Sequence, residues 1–180
     1  MENKEKFDIA ILDSGLSVSH SMIKCDNIKG IHIYWDDCLQ VDNDIEDTIG
    51  HGTAVYYIIK KENKEAKILI VKIFDHEYDV NTTLLINALK YINENYDCKL
   101  INLSNGVSFC DNIGELEDIC KDITNNGTYI VAGFANNGSI SYPAAFPSVI
   151  GVDISLRCKH IYEFEYVEGS VINIRACGIT

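Results

Sequence analysis

The sequence predicts a three-layer α/β domain with a mainly parallel central sheet flanked by helices, and three observations predict it. Short apolar, β-branched runs alternate with longer amphipathic ones along the chain. Several short runs are apolar on both faces, as strands of a covered parallel sheet are. Small polar segments rich in Gly, Asn, Asp and Ser follow the runs, at the strand ends where sheets of this kind gather their sites.

The strand-like runs are 7–12, 30–35, 67–74, 99–103, 128–134 and 149–154, with a last one at 171–175. Helices are predicted between them. The first spans 51–61. The second, 81–95, opens on Asn81-Thr82-Thr83 as an N-cap and places Leu84, Leu85, Ala88, Leu89 and Ile92 on one stripe. The third, 113–124, repeats the pattern with Leu116, Ile119, Cys120 and Ile123. Strands alternating with helices argue for a parallel α/β sheet.

A chain of 180 residues, 47% hydrophobic and 23% charged, suits one soluble domain over 1–180 with a substantial core. No apolar run is long enough to span a bilayer, so no membrane partner is expected. The charged start, Met1 to Lys6, leads straight into a short apolar run without a cleavage site, which is no secretory signal. A cytoplasmic location is expected. The net charge of −12, from 15 basic and 27 acidic residues, argues against binding nucleic acid. Seven scattered cysteines with no C-x-x-C pair read as reduced structural thiols.

Four segments carry chemistry. Asp13-Ser14-Gly15 follows the first strand, where a carboxylate can receive an imidazole N–H or simply cap a turn. Gly50-His51-Gly52-Thr53 opens the first helix with space around the ring, although such a histidine also suits a helix cap. Lys99 to Gly106 is a strand fraying into Ser104, Asn105 and Gly106, an edge able to pair with an extended peptide or a plain turn. Ala135-Asn136-Asn137-Gly138 ends a buried strand in amides that can donate to an oxyanion or form a turn. Tyr142-Pro143 and Phe146-Pro147 stiffen the loop that follows.

Together, in this order, these segments resemble the subtilisin-like serine proteases, from Phe7 to the end of the chain. Ile11-Leu12-Asp13-Ser14-Gly15 resembles the family's aspartate segment and Gly50-His51-Gly52-Thr53 its histidine segment. Ile101-Asn102-Leu103-Ser104 resembles the strand lining the substrate cleft, and Ala135-Asn136-Asn137-Gly138 the oxyanion segment. The resemblance implies that Asp13 orients His51, that His51 is the general base, and that Asn136 donates to the oxyanion. It further implies that Ser104, Asn105 and Gly106 bind a peptide or protein substrate as an added strand. The implied reaction is peptide-bond hydrolysis through an acyl-enzyme.

The chain departs from the family pattern at four places. Ala54 stands where a second histidine is usual. Ala135 replaces a glycine, which would be strained if that position required positive φ. Cys177 replaces a proline. Most consequentially, no Gly-Thr-Ser nucleophile segment occurs before Thr180, and Gly169-Ser170 lies too early to supply it. The expectation is therefore a C-terminally incomplete fold whose serine lies beyond Thr180, with an apolar face left open. The alternative is a catalytically inactive subtilase-fold pseudoenzyme that binds a peptide or protein. A generic α/β ligand-binding domain is the third reading.

The absence of a family-type pro-domain before the first strand fits an intracellular enzyme, one that could mature a specific peptide. No metal or cofactor is required by the resemblance. Asp42, Asp44, Glu46 and Asp47 could ligate the calcium that relatives often bind, but a solvated surface loop is expected, since no EF-hand glycine is present.

Overall fold

A computed structural model describes residues 4–74, 81–104, 106–107, 112–135 and 139–178. Its order is β1 (Glu5–Asp13), β2 (Ile28–Asp36), β3 (Cys38–Asp42), α1 (His51–Glu62), β4 (Ile68–Lys72), α2 (Thr82–Asn95) and β5 (Tyr96–Leu103), then α3 (Ile113–Asn125), β6 (Tyr129–Gly133), β7 (Ile150–Ile154), β8 (Phe164–Tyr166) and β9 (Ile174–Ala176). The sheet runs β3-β2-β4-β1-β5-β6-β7-β9-β8. Its inner pairings are all parallel, and only the outermost strands, β3 and β8, pair antiparallel.

β4 has the two-faced apolar pattern of a covered strand, Ile68-Leu69-Ile70-Val71-Lys72, and every residue in it is buried. Its neighbour β1 alternates between two cores. Ala10 and Leu12 join Ile101, Leu103, Ile130 and Ala132 under α2 and α3, whereas Ile11 joins Ile68, Ile70 and Tyr56 under α1. Two helices thus cover one face and one helix the other, giving the three layers expected from the sequence. Asn81 caps α2 by accepting from the Thr83 N–H at 2.8 Å. The buried stripe of α2 is Leu85, Ile86, Ala88, Leu89 and Ile92, and that of α3 is Leu116, Ile119, Cys120 and Ile123.

Three expectations need correction. β5 is no edge strand, because β1 and β6 flank it on both sides, and both ladders end at Leu103. β3 and β8 were not anticipated, since their mixed sequences, CLQVD and FEY, face solvent at the rims. The last predicted strand, 171–175, is β9 and starts later, at Ile174.

Helix cover is uneven on the α1 side. Register carries that face outward from Ile9 to Leu100 and Tyr129, and from Val152 to Ile174 and Tyr166. Tyr129 is 66% exposed and Tyr166 77% exposed, and Ile154 and Phe164 are exposed beside them. Among the described residues no helix packs over this stretch of β6, β7, β9 and β8. An apolar patch of this extent marks a surface that is normally covered. The 180-residue chain is therefore expected to self-associate and to bind a hydrophobic dye, as read by sedimentation over a concentration series. A monodisperse monomer at all concentrations would contradict this reading of the face.

Candidate active site

The site grows from the carboxyl edge of the sheet, where β1 hands the chain to a turn. Asp13 ends β1 on the α1 side and is 1% exposed. A buried carboxylate needs donors to offset its lost hydration. Asp13 Oδ1 accepts from the Ser14 backbone N–H at 2.8 Å and contacts His51 Nδ1 at 2.8 Å. Asp13 Oδ2 is buried without a partner among the described residues, so Ser14 and His51 are the donors this carboxylate has.

His51 is the first residue of α1, and the first turn of that helix is latched to the segment after β1. The Gly52 N–H donates to Ser14 Oγ at 3.0 Å, and the Ser17 N–H donates to Thr53 Oγ1 at 2.9 Å. Gly52 permits the approach, since a Cβ there would lie 2.3 Å from the Gly15 carbonyl oxygen. Gly50, at φ 90°, turns the chain into the helix in a conformation that side chains resist. Its lack of a side chain leaves the first N–H groups without a cap of their own.

Asp47 supplies that cap from outside the helix. Its Oδ1 accepts from the N–H groups of Ile49 at 3.0 Å and Gly50 at 2.8 Å. Its Oδ2 accepts from the Thr53 N–H at 2.9 Å and the Thr53 hydroxyl at 2.6 Å. This corrects the expectation of a wholly solvated acidic loop: Asp44 and Glu46 are exposed and Asp42 is half-buried, but Asp47 is only 7% exposed. Burial pushes the Asp47 carboxyl up, yet the bonds from Thr53, Gly50 and Ser14 outweigh it and hold it below its ordinary value. The sequence carried a signal for this residue, an acid just ahead of a helix start whose N-cap position is glycine. Among the described residues no cluster of three or more His, Cys, Asp or Glu side chains is placed to hold a metal ion.

The hydrogen bond that His51 donates to Asp13 raises the His51 pKa above 6.5; burial opposes this, and the charges of Asp13 and then Asp47 add to it. With Nδ1 turned to a carboxylate, the neutral ring carries its proton there, which leaves Nε2 as the basic nitrogen. The side chain is 39% exposed, so that nitrogen can meet an incoming group.

Ser104 lies one step beyond the Leu12–Leu103 pair of the β1–β5 ladder, beside Asp13. Its hydroxyl accepts from the Asn102 amide at 3.1 Å. Gly106 leads into Val107, whose N–H donates to the Tyr142 carbonyl at 2.8 Å, so the chain folds back on residues 141–142. A Cβ on Gly106 would lie 3.0 Å from Ser141. The structure thus brings Asp13, His51 and Ser104 to one edge, with Gly106 following. Asn105 and Asn136 lie outside the described residues. Ala135 shows no positive φ, so its methyl group is unstrained, and its N–H donates to the buried Ser141 hydroxyl at 3.1 Å. The six described cysteines are unpaired; burial pushes the Cys98 and Cys120 thiols up to about 12, and Cys177 does not approach His51 in any described bond.

A carboxylate-braced histidine thus stands at the carboxyl edge of a mainly parallel sheet. The chain matches the Subtilase family over residues 4–165 and belongs to it. Among solved structures it is similar to the prenylagaramide maturation protease PagA, at 21% identity and TM-score 0.60, over 81% of this chain and 52% of that one. It is also similar to the epidermin leader peptide processing serine protease EpiP of Staphylococcus aureus, at 16% identity and TM-score 0.64, over 83% and 46%. A third is the psychrophilic subtilisin-like protease Apa1 of Pseudoalteromonas sp. AS-11, at 26% identity and TM-score 0.63, over 82% and 35%. The chain spans at most about half the length of these three proteins. Comparison with curated protein sequences gives no match. Among the described residues no helix is long and apolar enough to cross a membrane.

The raised His51 pKa has a consequence for stability. The contribution is fully present below the unfolded value of about 6.5 and is lost as pH rises through the higher folded value. In Asp13→Asn the main cause disappears, so the His51 midpoint should fall and this part of the pH profile should flatten. Ring-proton NMR titration with urea unfolding at several pH values measures both. An unchanged His51 midpoint in Asp13→Asn would contradict the pairing.

Proposed function

We propose that this chain supplies the acid–base half of a serine endopeptidase, with the serine on a segment that follows Thr180 and covers the open sheet face. The observation that carries the reading is the 2.8 Å contact between His51 Nδ1 and the buried Asp13 carboxylate, which leaves Nε2 as the nitrogen not bound to that carboxylate. The substrate is a peptide or protein, and the protein acts without a metal or cofactor. A cytoplasmic setting suits the free cysteines.

In this mechanism His51 Nε2 takes the proton of the serine hydroxyl as its oxygen attacks the scissile carbonyl carbon. Asp13 holds the ring and stabilises the imidazolium that forms. The Asn136 amide donates to the developing oxyanion. His51 then delivers its proton to the leaving amine nitrogen, and the C–N bond breaks to give the acyl-enzyme. Water, deprotonated by His51, hydrolyses the ester and restores the serine. Ser104, Asn105 and Gly106 hold the extended substrate by main-chain hydrogen bonds in this reading, and Ser104 lies just past the end of the β5 ladder.

The open face of β6, β7, β9 and β8 lies on the same side of the sheet as α1. A small-residue-rich apolar helix across it would bury Tyr129, Val131 and Ile150, and its N-terminus would aim a serine at the carboxyl edge. Such a helix explains both the uncovered surface and the missing nucleophile.

The test compares the 180-residue chain with the product of the reading frame extended past Thr180. Only the extended protein should label with a fluorophosphonate and cleave peptides. In it, Asn136→Ala should lower turnover by about 10²–10³-fold with little change in substrate affinity, a magnitude taken from subtilisin itself. If the frame closes at Thr180 and no second chain restores labelling, the peptide-binding pseudoenzyme replaces this reading.

A further inference from the structure

Asp47 has more structure built around it than capping requires. An Asn or Ser at the N-cap would satisfy the same amides with no buried charge. Here the N-cap position is Gly50, and the capping group is a carboxylate three residues earlier, only 7% exposed. Burying an anion is costly unless every lone pair is matched. Four hydrogen bonds do so: those from Ile49, Gly50 and the two donors of Thr53.

The partners matter as much as the number. Thr53 Oγ1 donates to Asp47 at 2.6 Å and also accepts the Ser17 N–H at 2.9 Å, on the segment that follows Asp13. One carboxylate is thereby tied to the backbone on both sides of His51 and, through one hydroxyl, to the turn after Asp13. The neighbouring acids bond differently: Asp42 accepts from the Asp44 N–H at 2.9 Å and Asp44 from the Glu46 N–H at 3.2 Å, in local turns. Glu46 accepts from the Ser17 hydroxyl at 2.8 Å, and none of these bonds reaches α1.

We propose that Asp47 is a positioning residue for His51, holding the imidazole against Asp13 and placing a second negative charge beside the imidazolium that forms during proton transfer. The proposal rests on the reading of His51 as the general base. The charged groups acting on the ring are Asp13 from β1 and Asp47 from the loop ahead of α1. Nearby, Glu46 accepts from the Ser17 hydroxyl at 2.8 Å, and Lys72, the ladder partner of Asp13 on β4, donates to the Glu46 carbonyl at 2.8 Å. Asp13 acts through contact, and Asp47 acts through its charge and the helix it anchors.

The experiment follows the His51 ring by NMR in three proteins: the natural chain, Asp47→Asn, and Asp44→Asn. Asn keeps the size of the side chain and removes the charge; Asp44→Asn makes the same change in net charge at an exposed neighbour. Asp47→Asn should shift the His51 midpoint downward and lose the low-field Nδ1 proton signal of the Asp13-bound ring. Asp44→Asn should preserve both. A folded Asp47→Asn protein with both signals unchanged would overturn the proposal.

A second measurement avoids any variant. In the carboxyl-labelled natural chain, the Asp47 carbon signal should inflect at the His51 midpoint, and a flat trace there would equally overturn the coupling. Neither readout requires turnover, so a failure of peptide hydrolysis and a failure of this proposal are distinguishable.

Discussion

The Asp13–His51 pair depends on a backbone-to-backbone contact. The first turn of α1 approaches the turn after β1 so closely that Gly52 has room for a hydrogen only, with the Gly15 carbonyl 2.3 Å from where a Cβ would sit. Ser14 and Thr53 close the contact from either side with hydrogen bonds of 3.0 and 2.9 Å. Only at this separation can a side chain at the helix start reach a carboxylate at the strand end. The Ile11, Ile68, Ile70 and Tyr56 core beneath α1 supplies the packing that holds the helix down.

Asp13 and His51 obtain their chemistry from unequal environments. Asp13 is buried at the carboxyl end of β1, paired in the ladder with Lys72 of β4. His51 is half-exposed, so one nitrogen is committed to the protein and the other is available to a substrate-side group. A fully buried ring would lose that access, and a fully exposed one would lose the carboxylate's help to competing water. The helix start provides the intermediate position. The open apolar face lies on the same side of the sheet as that helix.

The central strands and all three helices were legible because burial writes a strong pattern: two-faced apolar runs for β4 and single apolar stripes for α2 and α3. Asp13 and His51 were legible because glycines and small residues cluster around them at element ends. β3 and β8 were not, since antiparallel rim strands face solvent and mix Gln, Glu and Asp with apolar residues. The position of β5 between β1 and β6 was hidden because strand order is fixed by non-local pairing, which no local pattern carries. Asp47 was overlooked among Asp42, Asp44 and Glu46, although its place just ahead of a helix that starts on glycine marks it as the acid able to reach the free N–H groups.

The account requires the surface over β6 and β7 to be occupied by the element that brings the nucleophile to His51. The most direct measurement is a crystal structure of the protein extended past Thr180, reading the distance from His51 Nε2 to the nearest serine hydroxyl. The account predicts an apolar helix across Tyr129 and Ile150 with a serine Oγ about 2.6–3.2 Å from Nε2. A covering element with no serine or other nucleophile within reach of His51 would contradict it.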